Sequence, residues 1–520
     1  MTGAAPAVPG PCTPCLLSVP WGSRRYTVLL GGVLDTSGKN RGSVGPVTKS
    51  TQKRNRAVVV GSGPNGLTAA CLLARQGWQV DVYEQGSTPG GAARSAPVLG
   101  EGTTVDLGSA AHPFGISSPV FRDLDLESHG LEWAHSRYAM AHPLDGGRAA
   151  FLSRGVEKTA TQLGEDYSQW RRLHHPFTRD IDQHLDNVLG PVIRVPRHPL
   201  KMVAFGSVAL FPARTLARAA FETEEARVLF AGSAVHAITP PDRPMTSSFG
   251  LLFSALGMAR GWPVAVGGSQ SVVNALVTIL NKHGGTVHTD HPVEDLAEFD
   301  DADAVILNLT PAQVSRLKNV ELSHRATRMM KNWKYGPGSY KLDILLDGPI
   351  PWTNPEVGES TTVHVCGGLD EIQAAEADAA AGRLPEKPFV LVCQQQVADS
   401  TRAQNGETVI WAYAHVPQGF VDERAAALIL KQIERFAPGF RDRILKVVEN
   451  NAQDLERWNP NLVGGDVGGG ATDGLQTIRR MPYKLGPRLY MASSSTAPGG
   501  GVHGMPGSWV ARAVLKDFPH

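Results

Sequence analysis

Ordered structure is predicted to begin at Arg56, where Ala57, Val58, Val59 and Val60 form a continuous apolar run rich in β-branched residues, the pattern of a buried parallel strand. A glycine-rich turn interrupts the run, and residues 67–76 then have the composition of a helix stopped by Gly77. Residues 79–83 read as a second strand closed by Glu84, so the segment is a βαβ unit. From about 127 to 260 the pattern is mostly helical, with candidate helices at 224–230 and 246–258. Strands are predicted at 284–288, 292–296 and 304–308, and later at 341–346, 390–395 and 408–415. The chain then returns to strand (488–491), glycine loop and helix (508–516).

A chain of 520 residues exceeds what one core usually supports, so two domains are expected. Hydrophobic residues at 42% and charged residues at 19% fit a globular protein. The net charge of +1 gives no basic field for nucleic acid. Five cysteines, Cys12, Cys15, Cys71, Cys366 and Cys393, are too few and too scattered for a disulfide framework. Cys12 and Cys15 have metal-like spacing but no second pair, and His174-His175 lacks matching ligands, so no metal site is expected. No apolar run reaches the roughly 18 residues of a membrane-spanning helix.

Residues 1–54 differ from the rest. They are rich in Gly, Pro, Ser and Thr, and Asp35 is their sole acid, beside Arg24, Arg25, Lys39, Arg41, Lys49, Lys53 and Arg54. This composition suits a disordered tail or a targeting segment. The expected location is cytoplasmic or membrane-peripheral, and mitochondrial if the tail is a transit peptide. Residues 199–211 are apolar, with Arg194, Arg197, Lys201, Arg214 and Arg218 in or beside them. Such a stretch is either a buried helix or a segment that rests on a membrane surface, giving a peripheral contact near 199–218.

The chemistry lies in the glycines. Gly61-Ser62-Gly63-Pro64-Asn65-Gly66 stands between strand and helix. The first glycine permits the tight turn, the second lets backbone approach a pyrophosphate, and the third lets helix and strand pack. The helix N-terminus offers amide groups to the phosphates. Glu84 follows at the distance, roughly 20 residues on, of an acid that accepts from ribose hydroxyls. A second pair, Gly90-Gly91, with Arg94 behind it, brings further backbone and a guanidinium to the same dinucleotide. A nicotinamide-only domain does not need that segment, which points to FAD.

These residues resemble the phytoene desaturase and phytoene dehydrogenase-related FAD-dependent oxidoreductases. The resemblance covers residues 56–520 and extends to the loop from Ser493 to Gly507. It is strongest toward the subgroup that includes pyridine nucleotide-disulfide oxidoreductase domain-containing protein 2. It implies backbone near Val293 at the adenine, and Gly501, Val502 and His503 at the isoalloxazine, with His112 on the flavin side. His503 and His112 are candidate general bases, or else structural histidines. Two departures matter. Amine oxidases usually carry an acid where this chain has serines, and carotenoid desaturases often carry His where Ala497 stands.

The expected fold is α/β: a Rossmann-type FAD-binding domain (55–126, 262–330 and 485–520) interleaved with a mixed α+β substrate domain (127–261 and 331–484). The resemblance implies an FAD-dependent oxidoreductase that moves a hydride from the C–H bond of an apolar small molecule to flavin N5. A flavin-dependent isomerase, or a flavin-retaining regulatory protein, are the alternatives. With no redox Cys pair in view, disulfide reduction is not expected.

Overall fold

The computed structural model describes residues 54–191, 193–472 and 474–519. The terminal segment 1–53, with Cys12 and Cys15, lies outside the described residues. Among the elements that build the site, β1 (Arg56–Val60), α1 (Pro64–Arg75) and β2 (Gln79–Tyr83) come first, then the hairpin β3 (Tyr138–Pro143) and β4 (Ala149–Ser153). Helices α2 (Pro199–Ala209), α3 (Ala213–Ala220), α4 (Glu224–Val235), α5 (Thr246–Arg260) and α6 (Gln270–Lys282) follow. Strands β5 (Thr286–His288), β6 (Ala304–Leu307), β7 (Gly338–Leu346), β8 (Thr362–Val365), β9 (Val390–Cys393), β10 (Thr408–Val416) and β11 (Ile444–Asn450) lead to β12 (Leu489–Met491) and α7 (Met505–Asp517).

One sheet is wholly parallel, in the order β12-β6-β1-β2-β5. Its centre is the β-branched run: Val58 pairs with Val305 on one side and Asp81 on the other. Both faces are covered. Ala57 and Val59 pack in a core with α1, α6 and α7, while Val58 and Val60 pack with Leu296, Phe299 and Leu485. Burial on both sides is why this strand lacks alternation. The second sheet has seven strands, in the order β11-β7-β10-β9-β8-β3-β4. It is antiparallel except where β8 runs parallel to β3.

The α/β class and the parallel sheet agree with the sequence expectation, and several boundaries move. Helix α1 starts at Pro64 rather than 67, because proline suits the first turn. Helix α7 starts at Met505 rather than 508, again with proline in its first turn. Gly507 is therefore inside the helix and not in the loop. A Cβ there would lie 2.0 Å from the Asn65 carbonyl, so this glycine lets α7 press onto α1. The segment predicted as a strand at 292–296 is not one. It leads into a 3-10 turn at Leu296–Phe299, where the Ala297 N–H donates to the Asp295 carboxylate at 2.9 Å. The hairpin β3–β4 falls in a region expected to be helical.

Of the two readings of 199–211, α2 shows a helix buried along one face only. Met202, Phe205, Gly206 and Ala209 line an internal cavity, while Leu200 and Val203 are exposed.

Candidate active site

A cavity of about 980 Å³ runs from the C-terminal ends of β1 and β2 to the interior face of the second sheet. Its position, outside the carboxyl ends of parallel strands, is where open α/β sheets bind ligands. At one end stand Gly61, Gly63, Pro64, Asn65, Glu84, Gly91, Arg94 and Val293. Gly501, Val502 and His503 line it further along. Ten of the twelve cofactor residues expected from sequence therefore share one cavity with His503. Gly66 and Gly90 do not line it.

The glycines act on one another and on Asn308. The Gly61 N–H donates to the Tyr83 carbonyl at 2.8 Å, with φ at +94°, where a side chain is strained. A Cβ at Gly66 would meet the Gly61 carbonyl at 2.4 Å, so Gly66 sets how closely α1 approaches β1. A Cβ at Gly63 would lie 2.6 Å from Asn308 Nδ2, and one at Gly91 would lie 3.1 Å from the Gly63 Cα. Bare backbone thus faces bare backbone across this end of the cavity. The Asn65 Oδ1 is buried with no partner in the protein. A buried acceptor without a donor fits a site that a hydroxyl-bearing ligand completes.

Glu84 ends β2 and is held in place by its neighbours. One carboxylate oxygen accepts from the Ser62 N–H at 3.0 Å and the Ser62 hydroxyl at 2.6 Å, the other from the Gly86 N–H at 3.0 Å. Gly90 closes this cluster by donating to Ser62 Oγ at 3.0 Å. Arg94 lies with its guanidinium 4.9 Å over the Trp458 ring, and its Nε donates to the Gly91 carbonyl at 3.1 Å. Burial lowers its pKa, against the pull of Glu84.

Strain concentrates on the same cavity. Among the described residues, seven that are not glycine have left-handed backbone; four are Asp or Asn, which tolerate it. The remaining three, Ile238, Met245 and Val502, all line the cavity. Such conformations cost on the order of 1–3 kcal/mol each and persist where the surroundings impose them, commonly at ligand sites.

The two histidines differ. His503 is on the cavity wall, and its Nδ1 accepts from the Met505 N–H at 3.1 Å at the start of α7. Burial pushes its pKa down to about 4, so the ring is neutral near pH 7 with its proton on Nε2. His112 does not line the cavity. It is wholly buried, its Nε2 lies 2.8 Å from Ser269 Oγ, and burial likewise takes it to about 4.

Residues missed by sequence reading complete the wall. Lys341 and Asp343 sit on one face of β7, nearly free of solvent, with the ammonium on the carboxylate. Burial lowers the lysine pKa and raises that of the aspartate, each opposed by its partner. Lys341 lines the cavity. Two ionisable residues at alternate positions in an apolar strand are the signal that marks them. His236 also lines it, and its Nε2 lies 3.2 Å from His364 Nε2. Beside them are Phe205, Phe253, Trp262, Leu391, Cys393 and Trp411. Cys71, Cys366 and Cys393 are buried free thiols, and burial pushes Cys393 up to about 12.

A family model described as "Flavin containing amine oxidoreductase" matches residues 65–508. The chain belongs to that family. Pyridine nucleotide-disulfide oxidoreductase domain-containing protein 2 of Rattus norvegicus is 24% identical over 89% of this chain and 93% of its own length. A neurosporene-forming phytoene desaturase of Cereibacter sphaeroides is 23% identical over 91% of this chain and 97% of its own. Among solved structures, an oxidoreductase from Methanosarcina mazei superposes with a TM-score of 0.61 at 17% identity, covering 89% of this chain and all of that one (100%). Putrescine oxidase bound to putrescine superposes at 0.58 and 17% identity, over 90% of this chain and 100% of its own. The protein is an FAD-dependent oxidoreductase of this family, related to phytoene desaturases.

Proposed function

We propose that the protein oxidises an apolar small molecule, taking a hydride from a C–H bond. One observation carries this reading. Among the cavity-lining residues only Glu84 and Glu294 are acidic. Glu84 is engaged at the nucleotide end, and Glu294 is next to Val293. The aromatic half thus offers no carboxylate to pair with an ammonium group, which disfavours a substrate that binds as a cation. Its phenyl and indole walls suit a hydrocarbon or lipid-like substrate instead.

Bound FAD supplies the hydride acceptor at N5. Gly61, Gly63, Pro64, Asn65, Gly66, Gly90, Gly91 and Arg94 would hold the pyrophosphate end, Glu84 the ribose, Val293 the adenine, and Gly501 with Val502 the ring. Gly66 and Gly90 serve by shaping the turn rather than by facing the ligand. His503 remains the catalytic candidate. Its Nδ1 lone pair is taken by Met505, which supports hydrogen-bond donation from Nε2 rather than removal of a proton. We assign 55–126, 262–330 and 485–520 to the FAD-binding domain, and 127–261 with 331–484 to the substrate domain.

Anaerobic mixing tests the reading. A panel of polyenes and unsaturated lipids is expected to contain compounds that bleach the oxidised flavin, and a matched panel of primary amines none. Bleaching by amines alone would overturn it.

A further inference from the structure

We propose that the face built from residues 193–211 rests on the surface of a lipid bilayer carrying anionic headgroups. Among the described residues, half of the large apolar side chains left exposed fall in this short segment: Ile193, Val195, Leu200, Val203, Leu210 and Phe211. Val195 is 88% and Leu200 85% exposed, values close to full hydration. Leaving so much apolar surface in water is unfavourable, and a contiguous patch of this kind marks an interaction surface.

Helix α2 explains how the patch arises. Met202, Phe205, Gly206 and Ala209 recur at helical spacing and line the cavity. Leu200 and Val203 occupy the opposite side of the same helix and point to solvent. The helix is apolar on both faces, where a surface helix of a water-soluble core needs only one. Its inward face is accounted for by the cavity, and its outward face by nothing in the described protein.

Charge selects the partner. Residues 193–221 contain Arg194, Arg197, Lys201, Arg214 and Arg218 and no Asp or Glu. Asp186 lies 3.8 Å from Arg197, Lys201 pairs with Asp180, and one carboxylate, Asp370, serves both Arg214 and Arg218. Arg197 is 58% and Arg218 50% exposed in their side chains, so both remain open to headgroups. Apolar residues projecting among cations form the pattern of an interfacial segment. The segment lies on the membrane and does not cross it. Helix α2 has 11 residues, a length of roughly 16 Å against a hydrocarbon core of ~30 Å. It turns through 89° into α3, and no single helix among the described residues is long and apolar enough to span.

Flotation of the full FAD-loaded chain with phosphatidylcholine vesicles, with and without phosphatidylglycerol, tests this. The wild type is expected to float with anionic vesicles, less with neutral ones, and less at high salt. The double variant Leu200→Glu, Val203→Glu removes only outward side chains and should lose about tenfold or more of the bound fraction. Its flavin content and melting temperature should match wild type. Arg197→Glu should weaken binding to anionic vesicles only. Wild-type protein that stays with the aqueous fraction, or a folded double variant that floats like wild type, overturns the proposal. So does a dimer that dissociates in the double variant without vesicle binding, which makes the face a contact between copies of the chain. The assay reads binding and not turnover, so it stands apart from the substrate reading.

Discussion

Arg402 and Asp106 meet at 2.7 Å with both side chains wholly out of water. The guanidinium also reaches Asp399 at 2.6 Å and the Ala265 carbonyl at 2.7 Å, while Asp106 accepts from Ser95 at 2.7 Å and the Ser269 N–H at 2.7 Å. The network ties the segment after Arg94 to the start of α6 and to the loop before β10.

Arg402→Met should therefore destabilise by about 3–5 kcal/mol, because two buried carboxylates lose their cation. Burial raises the Asp106 and Asp399 pKa values, but Arg402 and the surrounding donors outweigh it and hold both below the ordinary carboxylate range. A lowered pKa stabilises the fold above the unfolded value and ceases to do so as pH falls through the folded one. In the variant the cation is gone and burial is opposed only by the remaining hydrogen-bond donors, so its two acids take up protons more readily than in wild type. The gap in melting temperature between wild type and variant should narrow below about pH 4. A gap of constant size across that range contradicts the assignment.

Gly66→Ala and Gly63→Ala should separate packing from binding. At Gly66 the new Cβ strikes a backbone carbonyl, which cannot give way, so the melting temperature should fall even without cofactor. At Gly63 it strikes the end of the Asn308 side chain, which can move into the cavity. That variant should fold and retain less FAD, measured by absorbance ratio after purification. Equal effects of the two substitutions on both quantities would show the distinction to be false.

Gly501→Val should disturb the flavin seat more than His503→Ala. Gly501 has φ at +129°, and a Cβ would lie 3.1 Å from Phe114 and 3.2 Å from His503. His503→Ala leaves the Met505 N–H unsatisfied, at a cost of about 1–3 kcal/mol in stability. Flavin occupancy and midpoint potential of both variants decide the order. Since burial holds the His503 pKa near 4, its removal should leave the pH–rate profile between pH 6 and 8 unchanged in shape.

Acid should unfold the protein early. Burial lowers His112, His142 and His503 to about 4, His174 and His236 to about 3, and His364 well below its ordinary value. The native state keeps these rings neutral while the unfolded chain takes up protons below about pH 6.5. Stability is thus complete above that pH and is lost on descent toward 4. A melting temperature that holds steady from pH 7 to pH 5 would count against these burial assignments.

The first βαβ unit was legible because its strand is a β-branched run and its turn is made of glycines, both local signals. The hairpin strand from Tyr138 to Pro143 was not. All six of its residues are buried, so no alternation marks it, and its Ala, Met and His content carries no strand preference. Asn308 was read only as the end of a strand, since its partner Gly61 is reached through the fold, with Asn308 Nδ2 donating to the Gly61 carbonyl at 3.3 Å. The His236–His364 contact is likewise invisible in a linear chain, because it depends on α4 lying against β8. Val293 and Gly501, which line the cavity, were named by family resemblance and not by spacing.

The order of the parallel sheet has a consequence for how the protein is made. Its neighbours β6 and β12 are separated by most of the second sheet in the chain, and α7, which covers α1, follows β12. During synthesis β1 and β2 emerge early and wait with an unpaired edge. The nucleotide cradle closes only once β12 and α7 have been made. Long-range parallel pairing of this kind forms slowly, and the early strands keep an exposed edge until β12 and α7 join them.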